Sequence, residues 1–291
     1  MAVDSAKVKE LRERTGLPMM DCKKALEKTN GDVDLAFEEL RKEGHKAQCK
    51  LAGRTAKEGR IGANVSSDGK VGVLVALCCE TEPVSKNESF QQLLRELVDV
   101  MARNHPKDAQ ELGQLKLPSG HTVSTTVTDL VNKIRENIGV GRFARGEGDA
   151  VIQYVHFDQK KAAMVALKGG AISDPKVAEV GKELGMHIVF SNSDPSTKPL
   201  ALSRDLLDPK IVEKEREILL EMAKKDPKNS KKPEQILQKI IQGQVDKFVS
   251  SKCLLEQPYA RDPTQSVSQY IKSTGTGLTV SDFVYVATDL S

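Results

Sequence analysis

Tryptophan is absent from the chain, and aromatic residues make up only 4% of it. Nucleic-acid bases therefore have few rings to stack on. Charge offers no substitute, because 44 lysines and arginines face 41 aspartates and glutamates, a net charge of +3. No direct nucleic-acid partner is expected from that balance. Long apolar runs are missing too. No stretch approaches the roughly 20 residues that a membrane-spanning helix needs, and the amino terminus lacks the apolar segment of a signal peptide. Membrane partners are thereby excluded, and a soluble cytoplasmic protein is expected. The five cysteines, Cys22, Cys49, Cys78, Cys79 and Cys253, form no C-x-x-C pair. An odd number does not close a disulfide framework, which suits reduced cytosolic thiols.

Reaction motifs are also wanting. The chain has no phosphate loop of the G-x-x-x-x-G-K-[ST] type, so it is not itself a GTPase of that class. Its histidines, His45, His105, His121, His156 and His187, show no metal-ligand spacing. No serine occupies a G-x-S-x-G elbow. Gly139-Val140-Gly141-Arg142-Phe143-Ala144 mimics a dinucleotide fingerprint, but it follows an expected helix and precedes an expected strand, the reverse of the working order. Cys78-Cys79 ends an apolar strand and reads as a buried pair rather than a nucleophile. No enzyme chemistry, cofactor or metal is expected.

What is present begins with helices. Val8 to Leu26 reads as two short amphipathic helices broken by Thr15-Gly16-Leu17-Pro18, where Gly permits a tight turn and Pro can start a helix. After Asn30-Gly31, Asp32 can cap a third, with Val33, Ala36, Phe37 and Leu40 at helical spacing and Gly44 placed to stop it. The expected core of this bundle is Val8, Leu11, Met20, Leu26, Val33, Phe37 and Leu40. So small a core suits a docking module attached to something larger. A basic connector follows at 46–60.

The period then changes to strands. Arg60 to Val65, a Ser-Ser-Asp-Gly turn and Val71 to Leu77 predict a β-hairpin, followed by a helix from Glu88 to Arg103. The unit recurs 90 residues later, where Val151 to Phe157 and Ala162 to Leu167 flank Asp158-Gln159-Lys160. Two related α+β halves are expected, each an antiparallel sheet with helices on one face. Between them a helix is predicted over Thr128–Ile138, ended by Gly139 and Gly141. A helix from Pro175 to Leu184 and a strand at His187–Phe190 are predicted in the second half. Asp-Pro pairs at 174, 208 and 262 are placed to start helices and the pair at 226 to end one. Residues 209–225 and 233–250 form one-sided apolar stripes, with Ile211, Val212, Ile218, Leu219 and Met222 on the first. Ile236, Leu237, Ile240, Ile241, Val245, Phe248 and Val249 line the second, so an antiparallel helical hairpin with a lysine-rich tip is expected. Phe283 to Ala287 predicts a terminal strand. One loop stands apart: Cys79 to Phe90 joins strand to helix, and Pro83 should bias Glu82 toward extended backbone, giving a stiff, exposed tip with a carboxylate.

The wording of Val8 to Leu26 resembles the amino-terminal, ubiquitin-associated-like (UBA-like) domain of the bacterial elongation factor Ts family. The family's strand-to-helix motif, with Thr-Asp-Phe-Val at its centre, stands here as Cys79-Glu80-Thr81-Glu82-Pro83-Val84 with Phe90. Ile134-Arg135-Glu136-Asn137-Ile138 with Arg142-Phe143, then Tyr154-Val155-His156, extend the resemblance. Leu255-Glu256-Gln257-Pro258-Tyr259 with Asp262-Pro263 and Tyr270 carry it toward the carboxy terminus. It implies an α+β chain with a UBA-like three-helix domain at 1–45, a connector at 46–60 and core halves at 61–140 and 141–291. The second half would carry a helical hairpin at about 209–250. The implied activity is guanine nucleotide exchange: binding elongation factor Tu, GDP-bound or nucleotide-free, and promoting GDP release. Thr81, Glu82, Pro83 and Val84 would dislodge Mg²⁺ from that GTPase, while Arg12, Met19, Met20 and His156 would bind it. Glu82-Pro83 replaces the family's Asp-Phe, and no counterpart of some relatives' carboxy-terminal helix is expected after Ala287. The rival function is a UBA-like adaptor that only scaffolds partners.

Overall fold

The computed structural model describes residues 3–225 and 233–290; the lysine-rich turn with Asp226-Pro227 lies outside them. Helices α1 (Ser5–Thr15), α2 (Met19–Lys28) and α3 (Val33–Leu51) form the amino-terminal bundle. Each boundary has a local cause. The Asp4 carboxylate accepts from Ala6 N–H at 2.9 Å, Gly16 closes α1 in the left-handed region (φ 68°), and Asp32 accepts from the Asp34 and Leu35 amides. The bundle core consists of Val8, Leu11, Leu17, Cys22, Ala25, Leu26, Ala36 and Leu40, with Val33 and Phe37 half-buried beside it. Met20, expected inside, is 58% exposed, because turning Cys22, Ala25 and Leu26 inward puts it on the opposite face. Gly44 does not end α3. A Cβ there would lie 3.2 Å from the Asn132 side chain, so the glycine lets a neighbouring helix approach and α3 runs on to Leu51. The first part of the expected connector is therefore helix.

The first half begins with β1 (Glu58–Val65) and β2 (Val71–Cys79), joined at Ser66–Lys70 with Gly69 at φ 72°. A single turn, α4 (Glu82–Ser85), leads into α5 (Glu88–Arg103), whose bounds match the expected helix. Its Phe90, Leu93, Leu94, Leu97, Val98 and Met101 are buried. Next come α6 (Ala109–Gln114), α7 (Val123–Ile134) and β3 (Gly139–Glu147). The expected helix at Thr128–Ile138 is thus displaced toward the amino terminus. Thr122 caps its start, and Arg135, left-handed at φ 67°, ends it well before Gly139. The Gly139–Ala144 run lies inside β3, where bare Gly141 lets the strand approach Cys78. The strands pair antiparallel in the order β1-β2-β3, so a division at 140/141 falls within the third strand.

The second half repeats the plan with β4 (Ala150–Val155), β5 (Lys161–Lys168) and α8 (Pro175–Ser191). The expected strand at His187–Phe190 is the last turn of α8. Val177, Val180, Leu184, His187, Ile188 and Ser191 all bury one face at helical spacing, and that packing overrides local strand preference. The helical hairpin is α9 (Pro209–Lys225) against α10 (Glu234–Lys252). Its seam holds Ala223, Ile241, Val245 and Val249 with Val212, Leu219, Leu220, Leu237 and Phe248 packed around them. Ile218, Met222 and Ile236, assigned to the stripes from sequence, are exposed. Then follow β6 (Pro258–Tyr259), β7 (Asp262–Ser266), α11 (Val267–Ser273) and β8 (Thr279–Ala287). Asp262-Pro263 therefore lies in a strand rather than starting a helix; the Asp262 carboxylate accepts from Thr264 N–H and Oγ1 instead. The second sheet has the order β4-β5-β8.

The two sheets pack back to back. On β2, Val73, Val75, Leu77 and Cys79 meet α5 and α7, whereas Leu74, Ala76 and Cys78 turn to the other sheet. On β5, Ala163, Val165 and Leu167 meet α8, whereas Ala162, Met164 and Ala166 face Leu74, Ala76 and Cys78. Both central strands are buried on both faces, which explains their near-continuous apolar runs. The layers stack helix, sheet, sheet, helix, so the chain is α+β. The repeat is physical as well as textual. Val151 N–H donates to the Gly69 carbonyl at 2.7 Å, and Ile61 N–H donates to the Gln159 carbonyl at 2.9 Å. Those pairs are related by the same 90-residue offset, so each half's turn closes on the other half's first strand.

The sheet interface tolerates little volume. At Gly72 a Cβ would stand 2.7 Å from both Met164 Sδ and Val151 Cγ1. Gly72→Val should therefore destabilise by ~1–3 kcal/mol, lowering the melting temperature by several degrees. Gly243→Ala, inside α10 with open space around it, should stabilise by ~0.5–1 kcal/mol. Thermal unfolding of the two variants checks both signs.

Candidate functional site

The segment after β2 is exposed, as its sequence suggests, but its backbone differs in one respect. The extended residue is Thr81 (φ −129°, ψ 149°), and Glu82, expected to be extended, is the first residue of α4. Pro83 occupies that first turn, where its missing N–H costs nothing. The turn is fastened inside by Ser85 Oγ donating to the Glu82 carbonyl at 2.7 Å and by Gln91 Nε2 donating to the Ser85 carbonyl at 2.5 Å. Thr81, Glu82 and Pro83 are exposed, while half-buried Val84 packs on the first core.

Two carboxylates hold the tip from below in a crossed arrangement. Glu136, just past the end of α7, accepts from Thr81 N–H (3.1 Å) and Thr81 Oγ1 (2.6 Å). Glu80, just past the end of β2, accepts from Asn137 N–H at 2.6 Å. Asn137 Nδ2 then donates to the Arg54 carbonyl, and the Arg54 guanidinium lies 3.5 Å from Glu80. Hydrogen bonds to ionised acceptors are the stronger kind, so the tip is fixed at both of its entry residues. Glu82 itself pairs outward with Lys86 at 3.0 Å; that hydrogen bond and charge hold its carboxyl below the usual range. Beneath the tip, burial pushes the Cys78 and Cys79 thiols up to about 12, which rules out a thiolate nucleophile at neutral pH.

The packing of the halves brings the second hairpin's turn to the same end. Glu58, paired with Cys79 across the first sheet, forms an ion pair with Lys160 Nζ at 2.5 Å, and Arg60 Nη1 donates to the Asp158 carbonyl at 2.7 Å. Lys160 and Arg60 also help depress the Glu82 carboxyl. His156, in this turn, is half-buried, with Nδ1 sharing a 3.0 Å hydrogen bond with Tyr154 Oη. Arg12, Met19 and Met20 stand exposed on the bundle, the methionines at 53% and 58%. The bundle reaches the tip through one relay: the Arg135 guanidinium bonds Asp21 of α2 at 3.1 Å, and the next residue, Glu136, holds Thr81. Its seat on α7 is polar, with Asn132 Nδ2 donating to the Leu40 carbonyl and Thr128 Oγ1 to Gln48 Oε1. Sequence reasoning singled out Thr81–Val84 but not Glu136, which holds Thr81, nor the Glu58–Lys160 pair at the same end. No spacing links positions that far apart in the chain.

Among the described residues no group of histidine, cysteine or carboxylate side chains is arranged to hold a metal ion. None of their helices is long and apolar enough to cross a membrane. What the arrangement offers is an exposed turn tied down by hydrogen bonds.

A family model described as Elongation factor TS matches residues 80–289. The chain is 39% identical over 285 residues to Elongation factor Ts of Cytophaga hutchinsonii, covering 98% of each. It is 36% identical to Elongation factor Ts of Amoebophilus asiaticus, covering 97% of this chain and 98% of that one. Identity to Elongation factor Ts of Alkalilimnicola ehrlichii is 39%, covering 98% and 91%.

The crossed carboxylates generate a local prediction. Glu136→Ala removes both bonds to Thr81 while leaving the sheets intact. Hydrogen–deuterium exchange at residues 80–85 should speed up severalfold with little change at β2. Unchanged protection at Thr81 would show that Pro83 and the Ser85 bonds suffice.

Proposed function

The chain belongs to the elongation factor Ts family of translation elongation factors, and from that premise we propose that it is the guanine nucleotide exchange factor of elongation factor Tu. In this reading it makes and breaks no covalent bond. It binds the GTPase better without GDP than with it, and by linkage GDP weakens the factor's grip equally. A thousandfold faster release requires about 4 kcal/mol off the dissociation barrier. Much of a nucleotide's affinity runs through Mg²⁺ bridging phosphate to protein, so disturbing the partner's Mg²⁺ shell is an efficient lever.

The tip Thr81-Glu82-Pro83-Val84 is assigned that lever. The observation carrying the assignment is the crossed carboxylate clamp, Glu136 on Thr81 and Glu80 on Asn137. An element that must displace another protein's groups cannot itself yield, and this one is bonded at both entry residues. Glu82 keeps a negative charge at the apex. Its pair with Lys86 is solvent-exposed and screened by water, so the carboxylate can leave Lys86 for a site on the partner. Arg12, Met19, Met20 and His156 are assigned to binding. Exposed methionines suit that role because their side chains adapt to an irregular apolar surface.

The test is release of labelled GDP from elongation factor Tu on addition of the purified factor. Glu82→Ala should lose most of the acceleration with a modest change in affinity, whereas Pro83→Phe should keep or improve it. Removing residues 1–45 should weaken affinity sharply and leave the sheets folded. A UBA-like adaptor would bind without accelerating release. If Glu82→Ala matched the parent at every Mg²⁺ concentration, the tip would not be the working element.

A further inference from the structure

Phe157 is the most exposed of the large apolar side chains described, at 88%. A single exposed apolar residue ordinarily calls for no explanation. Here the internal repeat supplies a control. The turns Ser66–Lys70 and His156–Lys160 occupy equivalent positions and share their geometry. Gly69 N–H donates to the Ser66 carbonyl at 2.8 Å, and Gln159 N–H to the His156 carbonyl at 2.8 Å. Asp68 Oδ1 accepts from Lys70 N–H and Asp158 Oδ1 from Lys160 N–H. The third residue after the turn's start is left-handed in both, Gly69 at φ 72° and Gln159 at φ 58°. The position equivalent to Phe157 is Ser67, exposed and polar. The turn therefore does not require an aromatic residue.

The two turns differ in what surrounds them. Gly69 is buried, with Ile172 of the other half lying where its Cβ would be. The Phe157 turn opens to solvent at the end of the molecule that carries Thr81–Val84, joined to it by Lys160–Glu58 and by Arg60 on the Asp158 carbonyl. Phe157 is also seated. Its ring lies 4.5 Å from that of His156, which is bonded to Tyr154, and Tyr154 packs on the second core. A rigid aromatic side chain on a closed turn loses little freedom on binding, the property of an interface anchor. The tip beside it offers only Pro83 and half-buried Val84 as apolar surface.

We propose that Phe157, seated on His156, is the apolar anchor of the surface that carries the Thr81–Val84 tip, inserting into an apolar pocket of the GTPase. The tip would then act on the partner while Phe157 sets how firmly that end of the factor is held. This rests on the exchange reading above, and its own content is one residue's contribution to affinity.

The experiment uses the full chain and measures affinity for nucleotide-free elongation factor Tu together with GDP release over a range of factor concentration. Phe157→Ser should weaken affinity about tenfold or more, with release at saturating factor within about twofold of the parent. Phe157→Leu should fall between the two, and Ser67→Ala, at the opposite turn, should match the parent. The melting temperature of Phe157→Ser should not change, because the ring covers no core. Unchanged affinity for Phe157→Ser, with the parent accelerating release, would overturn the anchor and leave the exchange reading standing. An equal loss from Ser67→Ala would overturn it too, by showing a general response of the sheets. A parent that binds without accelerating release would overturn the exchange reading, and the anchor with it.

Discussion

The end of the molecule that carries Thr81–Val84 depends on one packing constraint: β2 and β5 are each buried on both faces, and their inner faces meet. Leu74, Ala76 and Cys78 lie against Ala162, Met164 and Ala166, with Ile61, Val151 and Val286 around them. Small residues alternate with large ones, which lets two pleated surfaces approach while leaving few voids. Because side chains alternate strictly along a strand, a slip of one residue would turn each set outward. The register is therefore fixed from both sides, and the irregularities agree: β2 against β3 shifts at Val75/Leu77 and β5 against β8 at Ala166/Leu167, equivalent places in the repeat. With the sheets locked, each hairpin turn must abut the other half's first strand. That is how the Asp158–Lys160 turn comes to lie beside Glu58 and the end of β2, where the tip begins.

Rigidity and charge are divided among different residues in the tip. Glu80 and Glu136 are spent on holding backbone and hydroxyl groups, and Glu80 is largely screened from solvent. Glu82 is bound only to a flexible lysine at the surface, where screening makes the pair weak. A clamp made from Glu82 would have consumed the one carboxylate that points outward. The N-terminal bundle enters the same arrangement through adjacent residues, since Arg135 holds Asp21 and Glu136 holds Thr81. Bundle and tip are thus joined through neighbouring residues although they are far apart in the chain.

The parts legible in the sequence were those with a strong period or a local turn. Helix α5 shows an unbroken apolar stripe, and the two hairpins show alternation around Asp-containing turns, repeated at an offset of 90. Where one residue type serves two purposes, sequence reasoning chose wrongly. Gly44 read as a helix stop but is a close-approach glycine against Asn132; the same holds for Gly139, which opens a strand rather than ending a helix. His187–Phe190 has strand-like composition, yet its side of α8 is needed to cover the second sheet, and His187 is bonded to Gln257 there. Pro83 drew attention to the tip, but its cross-chain support comes from Glu136, and a turn of the other half lies at the same end through Glu58 and Arg60. Such partners are set by the sheet packing alone, and no local pattern announces them.

The central claim is that this packing makes one face from the tip and the second hairpin's turn, and that this face meets the GTPase. Hydrogen–deuterium exchange of the full chain, free and bound to nucleotide-free elongation factor Tu, tests it most directly. The account predicts slowed exchange on binding at residues 80–85 and 156–160 together, with the equivalent turn at 66–70 unaffected. Protection confined to the bundle at residues 5–28, with 80–85 and 156–160 exchanging as in the free chain, would contradict it.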